Sequence, residues 1–238
     1  PLATGVLPLC FGEATKFSQF LLDANKAYTS TFVLGQSSTT DDAYGEITAV
    51  ADASKLTEAE VLSALMTFKG EQQQVPPMYS ALKHNGERLY KLARRGEEVE
   101  RASRDIRVDD IDLLAFRVGD ASQVLEIDVR LAVSKGTYIR RIAADLGEKL
   151  AVGGFVSALR RVQSGPFIES QAIDFEQLER LEGVDNTAAL DELLLPMDSA
   201  LQHIPSVMLD PSTGFYLQRG QAVQVPDSPP NGKVRLLM

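Results

Sequence analysis

Two adjacent arginines in the stretch "SKGTYIRR" pose the first chemical question. Gly136 closes a strand pattern and Thr137 is placed to cap a helix, which puts Arg140 and Arg141 in its first turn. The helix dipole disfavours cations there by about a few tenths of a kcal/mol. Arg141 has Asp145 one turn on, at i+4. Arg140 has only Ala143, Ala144, Thr137 and Gly136 at helical spacing. It calls for an anion from elsewhere in the chain or from a ligand, a carboxylate or a phosphate. With residues 138–140 extended, Tyr138 and Arg140 would face the same way and line one pocket wall. A long-range structural ion pair with a rim tyrosine explains the same residues.

Other candidates are less specific. Tyr28 starts a strand beside Lys26, a common place for a tyrosine that packs a sheet edge. "PPMYSALKHNGERLYKLARRG" interleaves Lys83, Arg88, Arg94 and Arg95 with tyrosines, which suits backbone tracking and base stacking on RNA as well as it suits a solvated helix. In "SALRR", Leu159 precedes Arg160 and Arg161, and by default it is a core residue. The pair Asp41-Asp42 lacks a histidine or third carboxylate at ligand spacing, so no metal site is expected. Phosphate-binding glycine loops, dinucleotide fingerprints and nucleophile elbows are not found, and no cofactor is expected.

The elements that must carry these residues read as follows. "GEATKFSQFLLD" is a short amphipathic helix, and "AYTSTFVLG" a strand closed by Gly35. "QSSTTDDAYGE" is a loop. "TEAEVLSALMTF" opens on Thr57 and Glu60 in capping-box register, which predicts a helix. "ERLYKLARRG" is a short basic helix ended by Gly96. "IRVDDIDLLAFRV" and "QVLEIDVRLAVS" are strands joined by a "GDAS" hairpin. "TYIRRIAADLGEKL" is a helix with Ile139, Ile142, Leu146 and Leu150 on its core face, and "FVSALRRVQSGPF" is a strand. An acidic helical stretch follows, and Ser206 to Met238 reads as short β. Strands and helices mix without regular alternation, so the fold class expected is α+β with a largely antiparallel sheet.

Composition sets outer bounds. The chain has 238 residues, 44% hydrophobic and 24% charged, as in an ordinary soluble globular protein. No stretch reaches the roughly 20 apolar residues of a membrane helix, and no basic-then-apolar leader is seen. The single Cys10 excludes an internal disulfide and fits a reducing, cytoplasmic compartment. The net charge of −9 argues against nucleic acid, yet eight Lys or Arg fall between Lys83 and Arg107. Screening confines a charge to about 8–10 Å, so a basic face on an acidic body is compatible with that sum.

Taken in order, "PLATGVLPLCFGEATKFSQFLLDANKAY", "VPPMYSALKHNGERLYKLARRG", "SKGTYIRRIAADLGEKL" and "LRRVQSGPF" resemble the TruB family of tRNA pseudouridine synthases, in its bacterial stand-alone form. The resemblance runs from Pro1 to about Leu195. It implies a pseudouridine-synthase catalytic domain over residues 1–202. It also implies that residues 203–238 begin a small β-rich, PUA-like RNA-binding domain. The family pattern G-x-L-D-P-x-A-T-G-V-L carries the nucleophilic Asp. Pro1 here aligns with the proline after it, so the expectation is a chain truncated at both ends and inactive as it stands. The resemblance gives Tyr28 the role of stacking on the target base and aiding removal of its C5 proton. It places Tyr138 in the uracil pocket, pairs Arg140 with the catalytic Asp, and makes Leu159 an apolar substrate contact. It implies uridine-to-pseudouridine isomerisation in the T-loop of tRNA, with no cofactor or metal, no membrane, no required protein partner, and a cytoplasmic monomer. The T-arm would be held by Lys83, Arg88, Arg94, Arg95, Arg160 and Arg161. A tRNA-binding or folding module without catalysis is the alternative.

Overall fold

The structure, a computed structural model, describes residues 2–118, 123–182, 187–226, 228–229 and 231–238. In chain order the elements are β1 (Thr4–Gly5), α1 (Ser18–Asp23), β2 (Lys26–Leu34), β3 (Gln36–Ser38), β4 (Ile47–Ala49), α2 (Glu58–Met66) and β5 (Gly70–Gln74). Then come β6 (Lys83–His84), β7 (Glu87–Arg88), α3 (Leu89–Arg94), β8 (Arg104–Val118), β9 (Leu125–Val133), α4 (Ile139–Lys149), β10 (Gly154–Ser164) and β11 (Phe167–Ile168). The last are α5 (Phe175–Glu182), α6 (Thr187–Asp191), β12 (Ser206–Met208), α7 (Pro211–Gln218) and β13 (Arg235–Leu237). They fall into two compact units: residues up to Leu7 with Asp23–Ala172, and Pro8–Leu22 with Ile173–Met238.

The first unit is built on a sheet in the order β1-β10-β2-β9-β8-β5, with β11 added to β10. Only β1 runs parallel to its neighbour, so the sheet is mixed and mostly antiparallel, as expected. Strand β9 shows why these residues form it. Leu125, Ile127, Val129, Leu131 and Val133 recur at period two and are all buried, with Glu126, Asp128, Arg130 and Ala132 between them. Helices α2 and α4 seal that face. Thr57 and Glu60 form the reciprocal capping box of α2, and Val61, Ala64 and Leu65 go inward. Ile139, Ile142 and Leu146 do the same for α4, with Leu150 packed at the margin. Gly147 lets α4 approach the start of β10 closely, because a Cβ there would lie 2.1 Å from the Gly153 carbonyl carbon.

Three readings of local structure need correction. The chain takes a 3-10 turn over Gly12–Phe17 before α1, so the first helix is shorter than expected. The loop "QSSTTDDAYGE" contains β3, which pairs with β4. In the second unit, the stretch read as short β holds helix α7. Asp210 caps it through the Ser212 and Thr213 N–H groups, and Pro211 occupies a position where its missing N–H costs nothing. Its apolar residues show no helical period, and that hid it. Beside it β12 and β13 pair in parallel, and Arg235 ties them down through Asp198 at 2.7 Å and the Ile204 carbonyl at 2.9 Å. The "GDAS" hairpin turn lies outside the described residues.

Candidate active site

The segment around Arg140 is built from three directions. After β9 the chain turns through Gly136 at φ +79° and enters α4. Thr137 is not the cap. Its hydroxyl donates to the Ser134 carbonyl at 3.0 Å, and Tyr138 takes the N-cap position with extended φ/ψ and no side-chain cap of its own. Gln74, buried at the end of β5, supplies the missing partner. Its Oε1 accepts the Tyr138 N–H at 2.8 Å and its Nε2 donates to the Tyr138 carbonyl at 3.2 Å. This two-point grip from a neighbouring strand fixes where the first turn of α4 starts, a long-range substitute for a local cap.

Arg140 lies in that turn and has no helical-spacing partner, as the sequence indicated. Its anion is Asp42, 98 positions earlier: Nη1 donates to Oδ2 at 2.9 Å. Nη1 also reaches the Thr40 carbonyl at 3.4 Å, and Nη2 donates to the Tyr79 carbonyl. The guanidinium lies 5.9 Å from the Tyr138 ring centroid. Asp42 is buried and further accepts from the Thr40 hydroxyl at 2.7 Å and the Tyr44 N–H at 3.1 Å. Sequence reasoning passed over Asp42 because it weighed the Asp41-Asp42 pair only as a metal ligand. The usable signal was the match of two carboxylates to two arginines. Arg141 pairs with Asp145 as its spacing required, and also with Glu148 at 3.3 Å and Asp41 at 3.8 Å. Burial raises the carboxyl pKa of both Asp41 and Asp145, and Arg141 offsets this only in part.

Tyr28, Tyr138, Arg140 and Leu159 line one cleft of about 750 Å³, together with Leu2–Leu7, Asp42, Ser80 and Arg94. Tyr28 stands on an interior strand, opposite Leu131 of β9 and Arg161 of β10, so the sheet-edge reading is wrong. Leu159 lies opposite Ser30, and both Tyr28 and Leu159 pack at the margin of the core. The cleft's other wall is β1. Gly5 has φ +92°, and a Cβ there would stand 2.2 Å from the Arg161 carbonyl, so only glycine lets β1 lie so close to β10. The Val6 N–H donates to that carbonyl at 2.8 Å, and Arg161 Nε returns to the Val6 carbonyl at 2.6 Å.

The basic residues singled out for RNA separate into two sets. Lys83 and Arg88 face each other across the β6–β7 hairpin, exposed, and make no ion pair among the described residues. Arg94 reaches the cleft, 5.5 Å from the Tyr90 ring. Arg95 is engaged by Glu87 and Glu97, both at 2.6 Å, and Arg160 by Glu169. Arg161 is committed to β1.

Comparison with known proteins gives consistent matches along the chain. Residues 1–139 match the family model for the TruB family pseudouridylate synthase N-terminal domain. Residues 140–202 match the tRNA pseudouridylate synthase B C-terminal domain, and residues 205–237 match the C-terminal model of pseudouridine synthase II TruB. The chain is 55% identical to the tRNA pseudouridine synthase B of Saccharophagus degradans, over 94% of this chain and 70% of that protein. To the protein of that name from Stutzerimonas stutzeri it is 49% identical, over 99% and 75%. Among solved structures it is similar to a Cbf5–Nop10–Gar1 complex, with a TM-score of 0.64 and 27% identity over 92% of this chain and 55% of that one.

Proposed function

We propose that the full-length gene product of this chain, which belongs to the TruB family of pseudouridylate synthases, isomerises uridine to pseudouridine in tRNA, at a T-loop uridine. The observation that carries the reading is the convergence of Tyr28, Tyr138, Arg140 and Leu159 on one cleft whose wall is the N-terminal strand. The family pattern puts an Asp directly before Pro1. An extended residue advances about 3.3–3.6 Å, so that position lies within about 7 Å of Leu2, which lines the cleft.

The chemistry follows from the groups present. The target base must leave the RNA stack before a carboxylate can reach it, at a cost of about a few kcal/mol. Stacking on the exposed part of Tyr28 returns roughly 1–3 kcal/mol. Leu159 and Tyr138 close the apolar sides of the pocket. Arg140 uses three of its five N–H donors on Asp42, Thr40 and Tyr79. The remaining donors bond no described residue and can orient a second carboxylate, and the cation beside it holds that carboxylate ionised. The Asp bonds covalently to the nucleotide, the N1–C1′ glycosidic bond breaks, the uracil turns and bonds C1′ through C5, and the bond to the Asp breaks to free the carboxylate. A base then removes the C5 proton. Asp42 keeps Arg140 in place between turnovers.

The free cations Lys83, Arg88 and Arg94 are the best candidates for phosphate contacts to the T-arm. Among the described residues no helix is long and apolar enough to cross a membrane, and we read the protein as a cytoplasmic monomer. Residues 203–238 are read as the start of a C-terminal RNA-binding domain. The reading is tested by incubating the full-length gene product with an unmodified tRNA transcript and mapping pseudouridine along it. One modified T-loop uridine is expected, lost in Tyr28→Ala. Tight binding without modification would favour an RNA-folding role.

A further inference from the structure

We propose that Asp41 is a positioning residue for Arg140, acting through Arg141. Asp41 is one of three non-glycine residues with positive φ among the described residues, at +60°. The other two, Asn85 and Ala151, lie in the β6–β7 turn and just after α4. Asp41 lines a neighbouring pocket, and the next residue, Asp42, lines the cleft. Its left-handed backbone separates two consecutive carboxylates, so that Asp42 takes Arg140 while Asp41 faces Arg141. Two neighbours in the loop thereby hold two neighbours in the first turn of α4.

The backbone of Asp41 is committed on both sides. Its N–H donates to the Ser38 carbonyl at 3.1 Å and its carbonyl accepts the Val156 N–H at 3.0 Å. The Ala43 N–H then returns to the Val156 carbonyl at 3.0 Å, strapping the loop to β10. The groups around the Asp41 carboxyl are Asp42 on its own loop, and Arg140, Arg141 and Asp145 on α4, with Glu148 reached through Arg141. Burial raises the Asp41 pKa in this setting, so the ionised form is held against a desolvation cost. A strained φ and a desolvated charge at one position both oppose stability. Such costs gather at functional sites when the geometry they impose is used. The geometry imposed here is the depth at which Arg140 enters the cleft.

The inference rests on the isomerase reading, and its test separates the two. Turnover and thermal unfolding are measured on the full-length gene product carrying Asp41→Asn, which tolerates the left-handed conformation, and Asp41→Gly, which relieves it. Both variants should fold with an unchanged or higher Tm at neutral pH. kcat should fall about tenfold with KM for tRNA steady, as for a misplaced catalytic group. Asp41→Asn combined with Arg141→Gln should lose little more than either alone, since both act on one link. A kcat unchanged in Asp41→Asn, losses that multiply in the double variant, or a kcat that falls only in step with Tm would overturn the inference. If the wild-type protein is inert, the isomerase reading fails by itself. The inference is then read from the Arg140 guanidinium NMR resonances, which should shift in Asp41→Asn and would contradict it by staying put.

Discussion

Arg140 enters a helical turn whose dipole opposes it, and a fork of one carboxylate and two carbonyls more than offsets that. A lysine cannot reproduce the fork, being a point charge on a flexible stem. Arg140→Lys should therefore lower turnover by about 100-fold, the scale of a misplaced catalytic group, with only a small change in tRNA affinity. Asp42→Asn tests the other half of the pair. Breaking a buried ion pair costs about 3–5 kcal/mol, and the lower end applies here because 20% of the Arg140 side chain is exposed. Urea unfolding should show that loss. The helix period made the absence of a local partner for Arg140 legible in the sequence, since i±3 and i±4 are fixed by geometry. The only trace of Asp42 was the match of two adjacent carboxylates to two adjacent arginines, because a contact 98 positions away is set by the packing of loop against helix.

Among the elements, β1 and β11 are the shortest strands of the sheet, and β1 forms a wall of the cleft. Gly5→Ala would force a Cβ into the Arg161 carbonyl and should free β1 from β10. Faster hydrogen exchange at the Val6 amide is expected, together with loss of pseudouridine formation and little change in the core. The long strands β8 and β9 and the helices α2 and α4 could be read in advance because alternation and capping are local signals. The short pairs β3–β4 and β6–β7 could not be read so, since two or three residues carry no period, and β12–β13 was read only as short β without its placement. The cap of α4 was misassigned for a related reason. Gln74 performs it from β5, and a residue 64 positions away leaves no trace near Thr137.

The net charge of −9 sets the expectation for the whole molecule that RNA binding depends on a few placed cations. Of the six singled out, Arg95 and Arg160 are paired with acids and Arg161 is bonded to the Val6 carbonyl, which leaves Lys83, Arg88 and Arg94 without such a partner among the described residues. The salt dependence of tRNA binding should lose roughly one unit of slope for each phosphate contact removed. Lys83→Ala with Arg88→Ala should thus flatten it, while Arg95→Ala, already neutralised by Glu87 and Glu97, should leave it nearly unchanged. The most direct measurement of the central claim is release of tritium from tRNA labelled at uridine C5, using the full-length gene product and a variant with Asn at the position before Pro1. The account predicts Asp at that position, release by the wild-type protein, and none by the Asn variant, with tRNA binding retained. Equal release by both proteins, or a residue other than Asp before Pro1, would contradict it.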